Sequence, residues 1–495
     1  MARSPSLSHV PWADTPRPVT TIDSATFDVF PETVGRDETA AQLNESADAF
    51  KSEDLPISPS PLGRRRVRKP MKTTTTYAAF VGLDWADRSH QVCLRPAEGD
   101  RDEQSKLAHE PLALRTWAST LRARFPVGKI AVALEQTKGP LVYALSMHAH
   151  LELFPINPAM LAKYREAAKA ASGTKNDPLD ASLLCELLRV HRDWLRSLPA
   201  VPAATRELQI LLETRRGLVD QRTGLCCQLG AALKGYYPQA LALVGHDVGT
   251  LLACAFLRRW PTLSAVQRAR PETLRNFYHA HQVRSEERIE ERLAVVRSAV
   301  ALTDDAAVLA TLPVLVASIV AQLEVLAPAI ADYDRRIAAS FASQADAALF
   351  ESLPGAGQQL APRLYVAYGP DRSRYTSALQ LQQYSGIAPV KEQSGKTEVT
   401  HWRWHCPKFL RQSFHEFAGC SIPQSRWAKA YYDEQIARGK PHHRVVRALA
   451  YKWQRIMFRC WQNHEPYDEE RYLAALRRHH SPLISRIDST RVEAA

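Results

Sequence analysis

The sequence predicts a mixed α/β domain, then a long helical hairpin, then a mainly α-helical C-terminal domain. Between residues 77 and 156, short and nearly continuous apolar runs alternate with helical segments, which is typical of buried strands in a sheet covered by helices. Residues 205–235 and 283–345 are rich in Leu, Ala, Arg, Glu and Gln at helical spacing. A Gly-x-Gly turn between two helical segments opens the last part, residues 349–468.

The 495 residues divide into five regions. These are an N-terminal extension, 1–76; the α/β domain, 77–200; a helical arm with an insert, 201–345; a C-terminal domain, 346–470; and a tail, 471–495. Residues 1–63 carry ten acids against four bases and show little periodicity, so we predict that the extension is disordered. Ordered sequence begins within six residues of Met71, which makes Met71 an alternative start to Met1.

The α/β domain begins with Tyr77–Asp84, whose apolar run predicts a central strand. After a polar turn, His90–Arg95 alternates between apolar and polar residues and is predicted to pair with this strand as a hairpin. Lys129–Glu135 is a second buried strand that ends in an acid. The other expected elements are helices over 112–125 and 140–149, a strand near 152–156, a helix from Pro158 and a helix opened by Asp177.

The helical arm has two interpretations. Residues 205–235 and 283–345 predict an antiparallel hairpin of long helices, with residues 236–282 inserted between them. The hairpin is either a coiled-coil-like arm for dimerisation or an ordinary helical bundle. The sequence does not distinguish the two, because it lacks sustained heptads.

Two features of the C-terminal domain suit nucleic acid. Gly355 and Gly357 stand between two helices, in a helix-hairpin-helix-like motif whose backbone N–H groups can hold a phosphate; a plain tight turn is the alternative. Residues 349–480 contain twenty Lys and Arg against eleven Asp and Glu, a net charge of +9, interleaved with Trp and Tyr. This pattern fits a phosphate backbone with unstacked bases, or else a basic surface over an aromatic core.

The overall composition restricts the class of protein. Lys and Arg number 64 against 52 Asp and Glu, a formal charge of +12, and a basic chain of this size favours a nucleic-acid partner. No stretch has the ~20 uninterrupted apolar residues of a membrane span, and the N-terminus lacks a signal-peptide pattern. The eight cysteines are scattered without a CxxC pair, so we expect a reduced cytosolic protein and set secreted and zinc-finger proteins aside.

Four acids stand where a sheet and a helix would bring them together. Asp84 ends the first strand, Glu135 ends a later one, and Asp177 and Asp180 open a helix. Carboxylates at the carboxyl ends of adjacent strands converge, and the Asp-x-x-Asp spacing puts two more on one helix face. Clustered carboxylates repel one another unless cations lie between them, and hard divalent cations prefer oxygen ligands. Two such ions can stabilise both oxygens of a phosphoryl transfer.

These residues resemble the motifs of DEDD-type insertion-sequence transposases. The motifs that carry the resemblance are Val81–Ala86 followed by His90, Leu134–Gly139, Lys175–Ala181, Leu353–Gly357, Gly386–Pro389 and Gln393–Lys396. They cover residues 77–200 and 349–465 in the expected order.

The resemblance implies a fold and a set of site residues. It implies a ribonuclease-H-like N-terminal domain similar to that of RuvC resolvases, a coiled-coil arm and a small helical transposase domain. The four acids would bind Mg²⁺, with Mn²⁺ as an alternative, and Ser394 would attack the DNA phosphate. We assign contacts with nucleic acid to Gly355, Gly357, Lys396, Arg403, Lys408 and Arg411.

The resemblance also implies partners. These are the DNA of the element ends and target, a bridging guide RNA of the kind that directs this family, and further copies of the chain in a dimer or tetramer. We expect a location in the prokaryotic cytoplasm, on the nucleoid when DNA is bound.

Two other functions remain open on the sequence. The chain is alternatively a metal-dependent RuvC-like structure-specific nuclease, in which water attacks and Ser394 is a turn residue. It is otherwise an inactive nucleic-acid-binding relic whose acids no longer converge. Covalent protein–DNA adducts distinguish the recombinase from the nuclease, and widely separated acids would favour the relic.

Overall fold

A computed structural model describes residues 77–169, 177–199, 201–395 and 397–493. The described residues form two compact units, with the boundary between Pro202 and Ala203. The predicted disordered extension, 1–76, with its alternative start at Met71, lies outside the described residues, as does Lys396.

The first unit is built on a mixed five-stranded sheet. Its strands are β1 (Tyr77–Asp84), β2 (Ser89–Pro96), β3 (Glu103–Ala108), β4 (Lys129–Leu134) and β5 (Leu151–Pro155). Their order in the sheet is β3-β2-β1-β4-β5. Strands β1 to β3 form an antiparallel meander, whereas β4 lies parallel to β1 and to β5. The predicted hairpin of β1 with β2 and the buried position of β4 are confirmed.

Helices cover both faces of this sheet. They are α1 (Pro111–Arg124), α2 (Pro140–Ser146), α3 (Pro158–Lys169) and α4 (Asp177–Val190). Residues of α1 and α2 pack with Val81 and Leu83 on one face, and residues of α3 and α4 pack with Ala131 and Ala133 on the other. Burial on both faces explains the nearly continuous apolar runs of β1 and β4. The arrangement confirms the mixed α/β prediction and fits a ribonuclease-H-like domain.

Strand β3 was not expected from the sequence. Four of its six residues, Glu103 to Lys106, are exposed, so this edge strand has no apolar pattern to reveal it. Its backbone pairing with β2, from Glu103 opposite Leu94 to Ala108 opposite Ser89, is what makes it a strand.

The second unit begins with the helical arm. Helix α5 (Ala203–Tyr236) is followed by five shorter helices and then by α11 (Ala306–Ala342). The shorter helices are α6 (Ala240–Val244), α7 (Leu251–Arg259), α8 (Leu263–Gln267), α9 (Pro271–Ala280) and α10 (Glu286–Ser298). Arg215 pairs with Asp334, and Gly235 lies against Leu312, so α5 and α11 run antiparallel as predicted.

The second helix of the arm starts later than predicted. Residues 283–345 were expected to form one helix, but α10 ends at Ser298 and α11 starts after Asp305. The Asp305 carboxylate accepts hydrogen bonds from the Ala307 and Val308 N–H groups, which caps a new helix. The inserted helices pack with the end of α5 and the middle of α11 around one core, as in a helical bundle.

In the described part of the chain, α11 alone is long and apolar enough, by length and composition, to cross a membrane. It packs along α5, and its residues Val316, Ile319, Val320 and Leu323 lie in the bundle core. Farther along the helix, Ile337 and Phe341 enter the C-terminal core. The apolar composition of α11 is therefore used at least partly in packing within this unit.

The C-terminal part is mainly helical. Its elements are α12 (Ala347–Glu351), α13 (Gly357–Tyr368), α14 (Ala378–Tyr384), β6 (Val390–Ser394), β7 (Thr397–His401), α15 (Lys408–Ser421), α16 (Arg426–Ala437), α17 (His442–Asn463), α18 (Glu469–Arg478) and α19 (Leu483–Glu493). One core joins Trp427, Trp453 and Trp461 to Leu208 of α5 and Phe341 of α11. The arm and the C-terminal domain thus share one compact unit, whereas the sequence predicted a domain boundary after residue 345.

The sequence predicted a tail over 471–495, but residues 471–493 form two helices. Leu473 and Leu476 of α18 and Leu483 and Ile487 of α19 are buried in the C-terminal core. Their spacing within two short amphipathic helices brings these side chains onto the domain.

Gly82 generates the first testable prediction, because α4 packs directly on it. A Cβ at Gly82 would lie 2.0 Å from the Ala181 carbonyl oxygen and 2.5 Å from the Cys185 nitrogen. We expect Gly82→Ala to lower the stability of the protein by about 3 kcal/mol, the upper range for overpacking, because two backbones must separate. Denaturant unfolding of the variant measures the loss.

The matched control is Gly217→Ala, on an exposed position of α5 where a Cβ would meet nothing within 4 Å. This variant should be as stable as the wild type or more stable by up to about 1 kcal/mol, since Ala favours a helix over Gly. Equal stability of the Gly82 variant and the wild type would contradict the packing argument.

Candidate functional site

Two of the predicted acids leave the sheet side by side. Strands β1 and β4 are parallel and in register, with Leu83 paired to Leu134. Asp84 and Glu135 each follow directly, so both carboxylates emerge at the carboxyl edge of the sheet. Both residues are half-buried. The strand register thus places this pair at one edge of the sheet, and convergence of the carboxylates stays a prediction.

Helix α4 brings Asp180 toward the same strand. Ala181 and Cys185 lie over Gly82, two residues before the end of β1, in a contact that only a residue without Cβ permits. Asp180 precedes Ala181 and is 5% exposed. Asp177 is the first residue of α4, and its side chain lies outside the described residues.

A basic residue engages the buried acid. The Nε of Arg165, on α3, donates to Oδ1 of Asp180 at 2.6 Å, and both side chains are largely buried. A buried carboxylate is costly unless paired, so this ion pair accounts for the burial of Asp180. Sequence reasoning did not single out Arg165, because an Arg in an amphipathic helix carries no signal of its partner.

The donor atoms at this edge suit a hard divalent cation. Next to Glu135, the Oε1 atom of Gln136 is buried and has no hydrogen-bond partner among the described residues. An oxygen left without a donor beside a carboxylate is the type of ligand that Mg²⁺ or Mn²⁺ accepts. Asp84, Glu135 and Asp180 are all among the described residues, and within that part of the chain no group of three His, Cys, Asp or Glu is placed to hold a metal ion. Convergence of all four acids on one metal site therefore stays a prediction.

His90 fixes the turn that follows Asp84. Its Nδ1 accepts a hydrogen bond from the Ala86 N–H at 3.2 Å, which places the ring proton on Nε2, 2.9 Å from Nδ1 of His109. Burial, and then the neighbouring His109, lower the pKa of His90 to about 4. His90 is therefore neutral near pH 7 and keeps its acceptor atom for the backbone beside the acidic edge.

Ser394 lies at the tip of an exposed hairpin. Strands β6 and β7 are antiparallel, and Ser394 is paired with Thr397 and followed by a turn at Gly395. Gly395 has a φ of +58°, the left-handed conformation that such a turn needs and that glycine adopts freely. Both Ser394 and Gly395 are exposed. The hydroxyl is thus accessible to a large substrate.

The two glycines predicted to hold phosphate have different environments. Gly355 has a φ of +81°, and a Cβ there would lie 2.5 Å from the Cys420 carbonyl oxygen, so this glycine packs on the end of α15. Gly357 has a φ of +51°, is exposed and begins α13, and a Cβ there would meet nothing within 4 Å. The surroundings of Gly357 therefore suit a ligand better than those of Gly355.

The predicted basic residues lie at the start of α15 and just before it. Lys408 is exposed, and Arg411 is half-buried one turn later. Arg403 donates from Nε to the Ala388 carbonyl oxygen at 3.4 Å, at the base of the hairpin. Contact of these residues with nucleic acid stays a prediction.

Most of the interleaved aromatics belong to the core. Trp427, Tyr431 and Trp453 are buried, while Trp404 is 67% exposed. The aromatic pattern of this domain thus indicates packing, as one of the two interpretations of the sequence required. Stacking on bases is left to exposed rings such as Trp404.

Two family models of transposases each match part of the chain. A family model for DEDD transposases of the IS110 type, described as "Transposase", matches residues 81–238. A second model, described as "Transposase IS116/IS110/IS902 family", matches residues 347–433.

Individual relatives resemble the chain over most of their length. The mini-circle putative transposase for IS117 of Streptomyces coelicolor is 28% identical over 404 residues, which is 80% of this chain and 97% of the relative. An uncharacterized 43.6 kDa protein of insertion element IS110 from the same species is 24% identical, covering 78% and 95%. The uncharacterized 42 kDa protein of IS900 from Mycobacterium paratuberculosis is 26% identical, covering 78% and 96%.

The ion pair of Asp180 generates the second testable prediction. Replacing Arg165 by Met leaves a buried carboxylate without its partner, so we expect a loss of about 3–5 kcal/mol in the free energy of unfolding, measured with EDTA present. The double variant Arg165→Met, Asp180→Asn removes the charge as well and should recover most of the loss. Wild-type stability of the single variant would show that the pair contributes nothing. Restoration by Mn²⁺ of the single but not of the double variant would identify Asp180 as a metal ligand.

Proposed function

We propose that this transposase of the IS110/IS116 family moves an insertion sequence by cutting and rejoining DNA through an acidic metal site and a nucleophilic serine. The observation that carries the proposal is the register of β1 with β4, which delivers Asp84 and Glu135 to one edge of the sheet. The exposed position of Ser394 beside a glycine turn supports the second part.

In this proposal, Asp84, Glu135, Asp177 and Asp180 hold the cation. A bound Mg²⁺ or Mn²⁺ would supply charge stabilisation for phosphoryl transfer. His90 keeps the turn after Asp84 in place, and Arg165 orients the carboxylate of Asp180. The half-buried position of Asp84 and Glu135 strengthens their interaction with any cation relative to a fully exposed pair.

Ser394 performs the covalent step. Its Oγ attacks the phosphorus of a phosphodiester, its proton leaves to a base or to bulk water, and one DNA end departs as a free hydroxyl. The other end remains as a phosphoserine ester, whose formation conserves the phosphodiester energy. Attack by a new DNA hydroxyl then restores the serine and joins the strands without ATP.

The reaction needs partners that the sequence resemblance names. The acids and Ser394 belong to different compact units, and we propose that Ser394 of one subunit acts with the acids of another in a dimer or tetramer. We further propose that a structured RNA from the same element selects the DNA, a partner that the net charge of +12 suits. Sequencing of the RNA that co-purifies from cells carrying the whole element tests this part.

The nucleophile generates the third testable prediction. With labelled DNA and Mg²⁺, the wild type should form an adduct that survives denaturant, and Ser394→Ala should form none because no other hydroxyl occupies its place. Thr397→Ala is the matched control, since Thr397 is the exposed cross-strand neighbour of Ser394 and should be dispensable. EDTA should abolish the adduct in the wild type and in Thr397→Ala. Strand exchange by the alanine variant would rule out the serine mechanism and favour the water-attacking nuclease.

The basic residues of α15 lead to the fourth testable prediction, which concerns DNA binding. Lys408→Gln and Arg411→Gln should each weaken DNA binding equally for all sequences and reduce the slope of log K against log salt by about 0.9 for each lost phosphate contact. Lys429→Gln is the control, because Asp433 already neutralises that lysine at 2.9 Å. An unchanged slope in the first two variants would show that these side chains do not touch phosphate.

A further inference from the structure

Arg447 of α17 lies beneath the base of the hairpin that carries Ser394. Its Nη2 donates to the Gly386 carbonyl oxygen at 2.7 Å, and its Nε donates to the Ile387 carbonyl oxygen at 3.3 Å. On the other side, the guanidinium carbon lies 3.1 Å from the centroid of the Trp402 ring. The side chain is almost completely buried, at 8% exposure.

These contacts reach both ends of the hairpin. Gly386 and Ile387 belong to the segment that leads into β6, and Trp402 is the first residue after β7. One rigid, planar group therefore holds the incoming and the outgoing chain at once. The base is tightened further by Gly386, where a Cβ would lie 2.3 Å from Sγ of Cys406.

The burial of this arginine is not explained by an ion pair. Among the described residues, its hydrogen bonds go to backbone carbonyl groups and no carboxylate pairs with it. Burial, followed by the charge of the nearby Arg411, lowers the pKa of Arg447 to about 9, which still leaves it charged at neutral pH. A buried cation of this type costs free energy that an apolar residue would avoid. The two hydrogen bonds and the stacked ring are what the position gains from an arginine.

The tip of the hairpin, which carries Ser394, has little packing to hold its direction. Residues 391–395 are exposed, whereas Thr400 near the end of β7 is buried, and a two-stranded hairpin is marginally stable by itself. Its orientation is therefore set by the contacts at its base. We propose that Arg447 is the positioning residue that aims Ser394, an inference that rests on the proposed role of that serine.

The test compares two variants of Arg447 with a matched control. Arg447→Lys keeps the charge but loses the planar fork, and Arg447→Met keeps the length but loses the charge. Arg459→Met is the control, because Arg459 is an exposed arginine on the same helix. Hydrogen exchange of peptides spanning 386–402 reports the hairpin, and the rate of adduct formation on labelled DNA reports Ser394.

In both Arg447 variants, exchange over 386–402 should accelerate and adduct formation should fall about a hundredfold, as expected when a reacting group is misplaced. DNA affinity should stay within about threefold, since the phosphate contacts proposed for α15 remain. The control should match the wild type in all three measurements. If either variant fails to fold, Trp402→Leu is the substitute, because it removes the ring that stacks on Arg447. Trp402 is half-buried, and this variant should have the same effects.

The outcomes separate this inference from the proposed function. Suppose that hydrogen exchange of the hairpin is faster in the Arg447 variants and that the adduct persists in Ser394→Ala. This result would support the role of Arg447 in holding the hairpin and would rule out the serine mechanism. Wild-type exchange and wild-type adduct rates in Arg447→Lys and Trp402→Leu would overturn the positioning role, whatever the nucleophile is.

Discussion

The contact of α4 with β1 at Gly82 is the constraint on which the position of α4 on the sheet depends. The helix backbone lies so close to the strand that a Cβ at Gly82 would overlap the Ala181 carbonyl oxygen. This contact places Ala181, the residue after Asp180, on the strand that ends in Asp84, and the parallel pairing of β1 with β4 sets Glu135 beside Asp84. One close approach of backbones and one strand register thus position these acids in the first unit, while their convergence on a metal stays a prediction.

Buried charge is the cost of this arrangement, and the fold manages it locally. Arg165 pairs with Asp180. His90 stays neutral, and its Nδ1 accepts a hydrogen bond from the Ala86 N–H, just after Asp84. A carboxylate cluster without such partners would destabilise the folded state by mutual repulsion. The proposed metal site would use the same electrostatics, because a bound cation offsets repulsion among carboxylates.

The C-terminal part uses buried arginines to join its helices. Arg363 of α13 pairs with Glu416 of α15 at 2.5 Å, and Arg216 of the arm reaches the same carboxylate at 3.4 Å. Burial lowers the pKa of Arg363, and the carboxylate of Glu416 opposes this shift. Arg447 serves in a comparable way at the hairpin, with carbonyl oxygens in place of a carboxylate. Rigid guanidinium groups therefore connect the arm, the helices and the hairpin within this unit.

The sequence by itself determined the strands β1, β2 and β4, the opening of α4 at Asp177 and the family motifs, because apolar runs, helix-starting residues and short motifs are local signals. It did not reveal β3, the break before α11 or the helices within residues 471–493, whose patterns are weak or exposed. Only the tertiary structure decided that Arg165 pairs with Asp180, that Gly355 packs on α15 and that Arg447 holds the Ser394 hairpin. Each of these contacts joins residues 15 to 65 positions apart. The physical reason is that local sequence patterns do not identify which distant residue the fold brings into contact.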